Sequence, residues 1–156
     1  MPRLSTILCP VDFDPNSFQA LRLASEVCQE QNATLYVLHV VDVAIPAKVQ
    51  VTAPFDKMEA AVTKKLARLA REKIDARVRY QLQVETGDPG FQILDAAKRV
   101  GADLIVLATH GRKGLRRLIL GSVAERIVRE ASCPVLTLRP TARRVQAQRP
   151  RARPKR

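Results

Sequence analysis

Apolar positions along this chain follow two alternating rhythms. Residues 5 to 11, ending at Asp12, residues 34 to 41, 103 to 109 and 134 to 138 are apolar at nearly every position. Such runs predict strands buried on both faces, as in a parallel sheet covered by helices on each side. A further strand over 78 to 84 alternates, with Arg79 and Gln81 between apolar residues, which predicts a more exposed edge. Between these runs the period lengthens to that of a helix. Phe18, Leu21, Ala24 and Cys28 follow Asp14-Pro15; Phe55, Met58, Val62, Leu66 and Leu69 stripe a helix over 55 to 74; Ile93, Leu94, Ala97 and Val100 follow Asp88-Pro89 and stop at Gly101; a last helix spans Ser122 to Glu130. In both Asp-Pro pairs the carboxylate caps free amides, and proline occupies the first turn, where a missing N–H costs nothing. Residues 45 to 54 lack a clear period, and a glycine-containing stretch covers His110 to Leu120; both predict loops.

Strand and helix therefore alternate from end to end. That order predicts an α/β fold: a three-layer α/β/α sandwich on a five-stranded parallel sheet with right-handed crossovers, of the Rossmann-like, nucleotide-binding α-hydrolase type. Ligands in such sheets bind at the carboxyl ends of strands near the switch in strand order. Here those ends are Asp12, the Val40-Val41 pair and the loop after Leu107.

Composition narrows the picture. A chain of 156 residues makes one domain and buries roughly 70% of its unfolded surface without staples. With no Trp and 4% aromatics, the core must be aliphatic. Cys9, Cys28 and Cys133 are odd in number, form no CxxC and lie in apolar runs, as expected of buried free thiols in a reducing cytoplasm. The first apolar run meets Asp12 too soon for a signal peptide, and no stretch approaches the ~20 apolar residues of a membrane span, so a soluble cytoplasmic protein is expected. The net charge of +12 is unevenly placed. Residues 139 to 156 hold eight basic residues and no acidic one, leaving +4 for residues 1 to 138. The expected organisation is a folded domain over 1 to 138 and a disordered basic tail over 139 to 156, too poor in apolar residues to offset its ordering entropy. Such a tail suits nucleic acid or an anionic membrane through counterion release, or serves solubility alone; no aromatic residue interleaves the arginines to stack on bases.

Candidate chemistry concentrates between Ala108 and Ser122. Gly111, Gly114 and Gly121 let backbone amides approach a ligand. Ser122 opens a helix whose first amides lack partners and carry partial positive charge, and Arg112, Lys113, Arg116 and Arg117 add to the field. Together these suit a phosphate. The competing expectation is a capping box, Ser122-x-x-Glu125, that satisfies the helix end without a ligand. GxxxxGK[ST] is absent, as is GxGxxG after the first strand, which argues against a P-loop enzyme and a dinucleotide fold. His110 can touch phosphate or bond to its own loop. His39, inside a strand, reads as a satisfied core histidine, and the two histidines lack the companions of a metal site. Ser122 has no visible His/Asp system for nucleophilic catalysis, and Ser132-Cys133 reads as packing. Asp12 serves either a ligand or the turn into the first helix.

The set Ile7-Leu8-Cys9-Pro10-Val11-Asp12, Leu38-His39-Val40-Val41-Asp42, Asp103-Leu104-Ile105-Val106-Leu107, Thr109-His110-Gly111-Arg112, Leu120-Gly121-Ser122-Val123-Ala124-Glu125 and Cys133-Pro134-Val135 resembles the universal stress protein family over residues 4 to 138. ATP-binding members resemble G-x2-G-x9-G-[ST]; here the pattern reads Ala108-x2-Gly111-x9-Gly121-Ser122, with alanine at the first glycine. The resemblance implies an ATP site with Pro10, Val11 and Asp12 near adenine and ribose, and backbone at Val40 against adenine. It puts Gly111, Gly121, Ser122 and Val123 on the phosphates, with Ala108, His110, Arg112 and Gly114 completing the loop. Mg2+ would bridge phosphate oxygens with little help from protein. The resemblance also implies a homodimer through the last strand, whose apolar edge over 134 to 138 suits strand pairing. Three readings follow: a nucleotide-regulated stress-response module with at most slow hydrolysis or autophosphorylation, for want of a general base; a nucleotide-free interaction dimer in which Ala108 marks lost binding; and a nucleic-acid-associated protein acting through its tail.

Overall fold

The computed structural model describes residues 3–42, 55–109 and 121–139. Nine elements follow in the predicted order: β1 (Thr6–Pro10), α1 (Pro15–Gln31), β2 (Thr34–Val41), α2 (Phe55–Lys73), β3 (Arg79–Thr86), α3 (Pro89–Val100), β4 (Leu104–Ala108), α4 (Ser122–Glu130) and β5 (Val135–Leu138). The loop expected over 45 to 54 and the tail beyond Arg139 lie outside the described residues.

The strands form one five-stranded parallel sheet in the order β3-β2-β1-β4-β5. Strand alternation divides the core. Ile7, Cys9, Leu35, Val37 and Val106 pack with Leu21, Ala24, Cys28, Leu66 and Leu69 of α1 and α2. Leu8, Leu38, Ile105 and Leu107 pack with Ile93, Ala97, Ala124 and Ile127 of α3 and α4. Both faces of β1 are thus covered, which is why its sequence is a continuous apolar run. β3 lies at one edge, as its alternation predicts, and its first three residues are exposed.

Both Asp-Pro starts form as predicted. Asp14 accepts from the Asn16 amide at 2.8 Å and Asp88 from the Phe91 amide at 2.7 Å. Gly101 ends α3 at φ 63, in the left-handed region that glycine enters without penalty. Strand limits shift where the backbone demands it. β5 begins at Val135 because Pro134 has no N–H; its carbonyl still accepts from the Ile105 amide at 3.0 Å. Asp103 sits outside β4 and turns its carboxylate to the Ser5 and Thr6 amides, at 2.8 and 2.9 Å, pinning the start of β1. Charge-assisted bonds of this kind contribute about 1.5–3 kcal/mol. Asp103→Ala is therefore expected to lower unfolding free energy by about 2 kcal/mol in a urea titration, with Asp103→Asn falling between it and the parent.

The cysteines carry no disulfide. Cys9 and Cys28 are buried as expected, whereas Cys133, before an edge strand, is only half-buried and corrects that part of the expectation. Burial pushes the Cys28 thiol up to about 12. It raises Cys9 as well, with Cys28 adding to the rise. Both thiols stay neutral in the fold while an unfolded thiol ionises near pH 9. The stability this contributes is complete below about pH 9 and is lost as pH rises towards 12. In the native chain a small maleimide is expected to leave Cys9 and Cys28 unmodified while a denatured sample reacts at all three; peptide mass spectrometry reads the sites.

Candidate functional site

From β1 the chain builds outward to β2 and β3, then returns to place β4 and β5 on the other side. The order therefore switches between β1 and β4, and the helices that follow them, α1 and α4, pack on opposite faces of the sheet. This is where an open α/β sheet forms a crevice. The register Ile7↔Leu104 and Leu8↔Ile105, continued, brings Val11 level with Ala108; Pro10↔Leu38, continued, brings Asp12 level with Val40. Pro10, Val11, Asp12, Val40 and Ala108 thus share one end of three adjacent strands.

Across the crevice from β1 stands the start of α4, and here the capping-box expectation is corrected. The residue whose carbonyl accepts the first helical bond is Gly121, from the Glu125 amide at 2.9 Å. Gly121 is the N-cap, at φ −56 and ψ 152, and no side chain caps the end. Ser122 is the first helical residue and exposed, too far along to serve as cap, and the Glu125 carboxylate lies 3.9 Å from Arg129 instead. The frame shifts because the Gly121 amide is held by the Thr109 carbonyl at 2.9 Å, which ties the beginning of α4 to the end of β4. A Cβ on Gly121 would sit 3.3 Å from that carbonyl oxygen, so glycine serves close approach here and not an unusual torsion. The first turn of a nine-residue helix, with Gly121, Ser122 and Val123, therefore enters the crevice end without a side-chain acceptor of its own.

On the β1 side, Asp12 takes the turn role open to it: its Oδ1 accepts from the Asp14 amide at 3.0 Å. Between them Phe13 adopts φ 61, unusual for a bulky residue. Packing holds it there. The His39 ring centroid lies 4.4 Å from that of Phe13, and the Lys65 ammonium sits over the Phe13 ring 4.1 Å from its centroid, in cation–π range. His39 Nδ1 donates to the Val11 carbonyl at 2.8 Å, and the Val11 amide donates to Leu38 at 2.8 Å. His39 is thus the satisfied histidine expected, and it also braces the backbone that presents Asp12. Val40 is half-buried near the end of β2 and packs against the core on the α3–α4 side.

Of the sequence-derived residues, His110, Gly111, Arg112 and Gly114 lie outside the described residues. Two residues were not singled out by sequence. Thr109 is buried, and both its amide and its Oγ1 donate to the Leu138 carbonyl, at 2.9 and 3.1 Å, while its own carbonyl holds Gly121. Its place between Ala108 and the glycine loop was the available signal. Phe13 had none, since nothing local marks a non-glycine residue for positive φ. Among the described residues no group of three or more His, Cys, Asp or Glu side chains could hold a metal, and no helix is long and apolar enough to cross a membrane.

The family model described as the universal stress protein family matches residues 4–139. A universal stress protein of Methanocaldococcus jannaschii is 31% identical over 137 residues, covering 85% of this chain and 81% of the relative. Among solved structures, the universal stress protein UspA from Lactobacillus plantarum superposes with a TM-score of 0.77 at 28% identity, covering 89% of this chain and 100% of the other. The universal stress protein from Archaeoglobus fulgidus in complex with dAMP shares the fold at a TM-score of 0.61 and 21% identity, covering 88% and 98%.

Proposed function

The chain belongs to the universal stress protein family, and from that premise we propose that it binds an adenine nucleotide, ATP with Mg2+, in the crevice between β1 and β4 as a nucleotide-regulated binding module. The observation that carries this reading is the α4 start: a helix N-terminus without a side-chain cap, led by a glycine packed on the Thr109 carbonyl, at the switch in strand order. Unpartnered amides at a helix N-terminus, with the positive end of the helix dipole, suit a phosphate. The amides of Ser122 and Val123, with Gly111 before them, would hold the phosphates; Asp12 would accept from ribose hydroxyls, and backbone at Val11 and Val40 would line the adenine. His110, Arg112 and Gly114 would complete the phosphate loop. A divalent ion fits as one carried on phosphate oxygens and balancing their charge, since the described residues offer no ligand cluster of their own. The dAMP complex of the Archaeoglobus protein supports an adenine ligand in this fold.

Ala108 is the departure from the pattern. It ends β4 in extended pairing with Leu138, opposite the conformations that only glycine adopts readily. Alanine meets no torsional penalty there, which favours retained binding. Calorimetric titration with ATP and Mg2+, on protein freed of co-purified nucleotide, is expected to give a Kd on the order of 10 µM, about −7 kcal/mol. No heat, together with no nucleotide carried through purification, overturns the reading. It would leave the interaction dimer in its place, which one observation favours: β5 is an edge strand, with Leu136 39% exposed.

A further inference from the structure

Among the described residues, two that are not glycine adopt positive φ: Phe13 at 61 and Asn32 at 53. Asn32 is the stop of α1, a place where asparagine enters the left-handed region readily. Phe13 has no such local reason. It stands between Asp12 and the start of α1, and its ring is held by His39 of β2 and Lys65 of α2. A residue in so sparsely populated a torsion persists only where its surroundings over-determine it, and such residues cluster at ligand sites.

The backbone on both sides of Phe13 is tied down. The Val11 amide donates to the Leu38 carbonyl, and the Val11 carbonyl accepts from His39, both at 2.8 Å. The Asp14 amide donates to Asp12 Oδ1 at 3.0 Å, and the Asp14 carboxylate accepts from the Asn16 amide at 2.8 Å. Rotation about the Phe13 N–Cα bond would turn the Asp14 amide away from the Asp12 carboxylate. The Phe13 torsion therefore sets where that carboxylate points. Its other oxygen, Oδ2, has no hydrogen-bond partner among the described residues.

Of the two groups on the ring, His39 belongs to the sheet and is anchored on Val11. Lys65 is exposed, and among the described residues no carboxylate pairs with it. Its ammonium is directed to the Phe13 ring, 4.1 Å from the centroid. A cation over an aromatic face at an exposed site shifts an equilibrium by about 2- to 5-fold. We infer that Lys65 is a positioning residue for the sugar of the nucleotide: through the Phe13 ring it holds the left-handed turn that aims the Asp12 carboxylate at the ribose hydroxyls. This role rests on the nucleotide reading above and adds to it a residue from α2, outside the strand ends and the glycine loop. When the clamp loosens, the fraction of protein with Asp12 in place falls. Apparent affinity falls with it, but only for a ligand that uses Asp12.

The test is calorimetric titration of the full chain with ATP and with 2′,3′-dideoxy-ATP, each with Mg2+. Both carry the same triphosphate, so the ratio of their dissociation constants cancels any pull of Lys65 on phosphate. Hydrogen bonds to a charged group make the parent prefer ATP by about 10-fold or more. Lys65→Met keeps the stem and removes the charge, and is expected to cut that preference about 3-fold. Lys65→Arg, which keeps a cation on the ring, is expected to retain it. In a Phe13→Leu background, Lys65→Met should change the ratio no further, because the ring through which it acts is gone. A parent that prefers ATP and a Lys65→Met variant that keeps the full preference overturn the positioning role and leave the nucleotide reading standing. So does an equal loss for both nucleotides, which would make Lys65 a source of field alone. A parent that binds neither nucleotide overturns the nucleotide reading, and the role of Lys65 with it.

Discussion

Leu8→Ala is expected to cost about 3–5 kcal/mol of unfolding free energy, the largest stability loss of any single truncation considered for this chain. Leu8 lies on β1, the central strand, and is fully buried between Tyr36 on one neighbour and Ile105 on the other, in one core cluster with Leu38, Ile93 and Ile127. Strands on both sides and helices above leave the cavity little room to collapse, and that is the condition under which truncation costs most. For a domain of this size the change corresponds to a melting temperature lowered by about 10 °C or more. Chemical denaturation and a thermal melt both read it. Phe91→Ala is the matched control: Phe91 is 56% exposed in the first turn of α3, and its truncation should stay within about 0.5 kcal/mol. A Leu8 variant that melts with the control would mean that the two core layers are not packed across β1 as described.

Gly121→Val is expected to abolish measurable nucleotide binding, a loss of at least about 30-fold or 2 kcal/mol in affinity, while the chain still unfolds cooperatively. The first Cβ already meets the Thr109 carbonyl oxygen at 3.3 Å, and the branched methyls would be directed into the space a phosphate needs, or force the α4 start away from β4. The stability cost is that of modest overpacking, about 1–3 kcal/mol. Gly121→Ala should fall between, since one methyl can be absorbed by a shift of a few tenths of an ångström. Calorimetry with ATP and with adenosine separates the causes. Loss confined to ATP points to the phosphate end, and equal loss for both points to a displaced helix. Unchanged ATP affinity in Gly121→Val would remove the α4 start from the site.

The element order was legible because each signal is local. Continuous apolar runs meet a sheet covered on both faces, a 3.6-residue period meets a helix with one buried side, and Asp-Pro pairs satisfy amides within their own first turn. The edge position of β3 was legible for a related reason: Arg79 and Gln81 could not be buried on both faces at once. The capping box failed because its sequence signature, Ser122-x-x-Glu125, is indifferent to what lies before it. The competing bond from Gly121 to Thr109 depends on β4 and α4 meeting across residues 110–120, a fact no window of a few residues contains. Phe13 at φ 61 is the same kind of case, since its strain is balanced by His39 and Lys65, distant in sequence.

By itself the sequence determined the alternating α/β build, the aliphatic core, the unequal division of charge and the family. All four follow from residue type and from spacings of a few residues, where hydrophobic burial and backbone capping act locally. Only the tertiary structure decided the rest: that β1 lies between β2 and β4, that α4 begins one residue earlier than its capping signature suggests, and that Thr109 joins Gly121 to Leu138. These depend on which strands pair and in what register, and pairing is set by the summed burial of two helical layers against the sheet rather than by any segment alone.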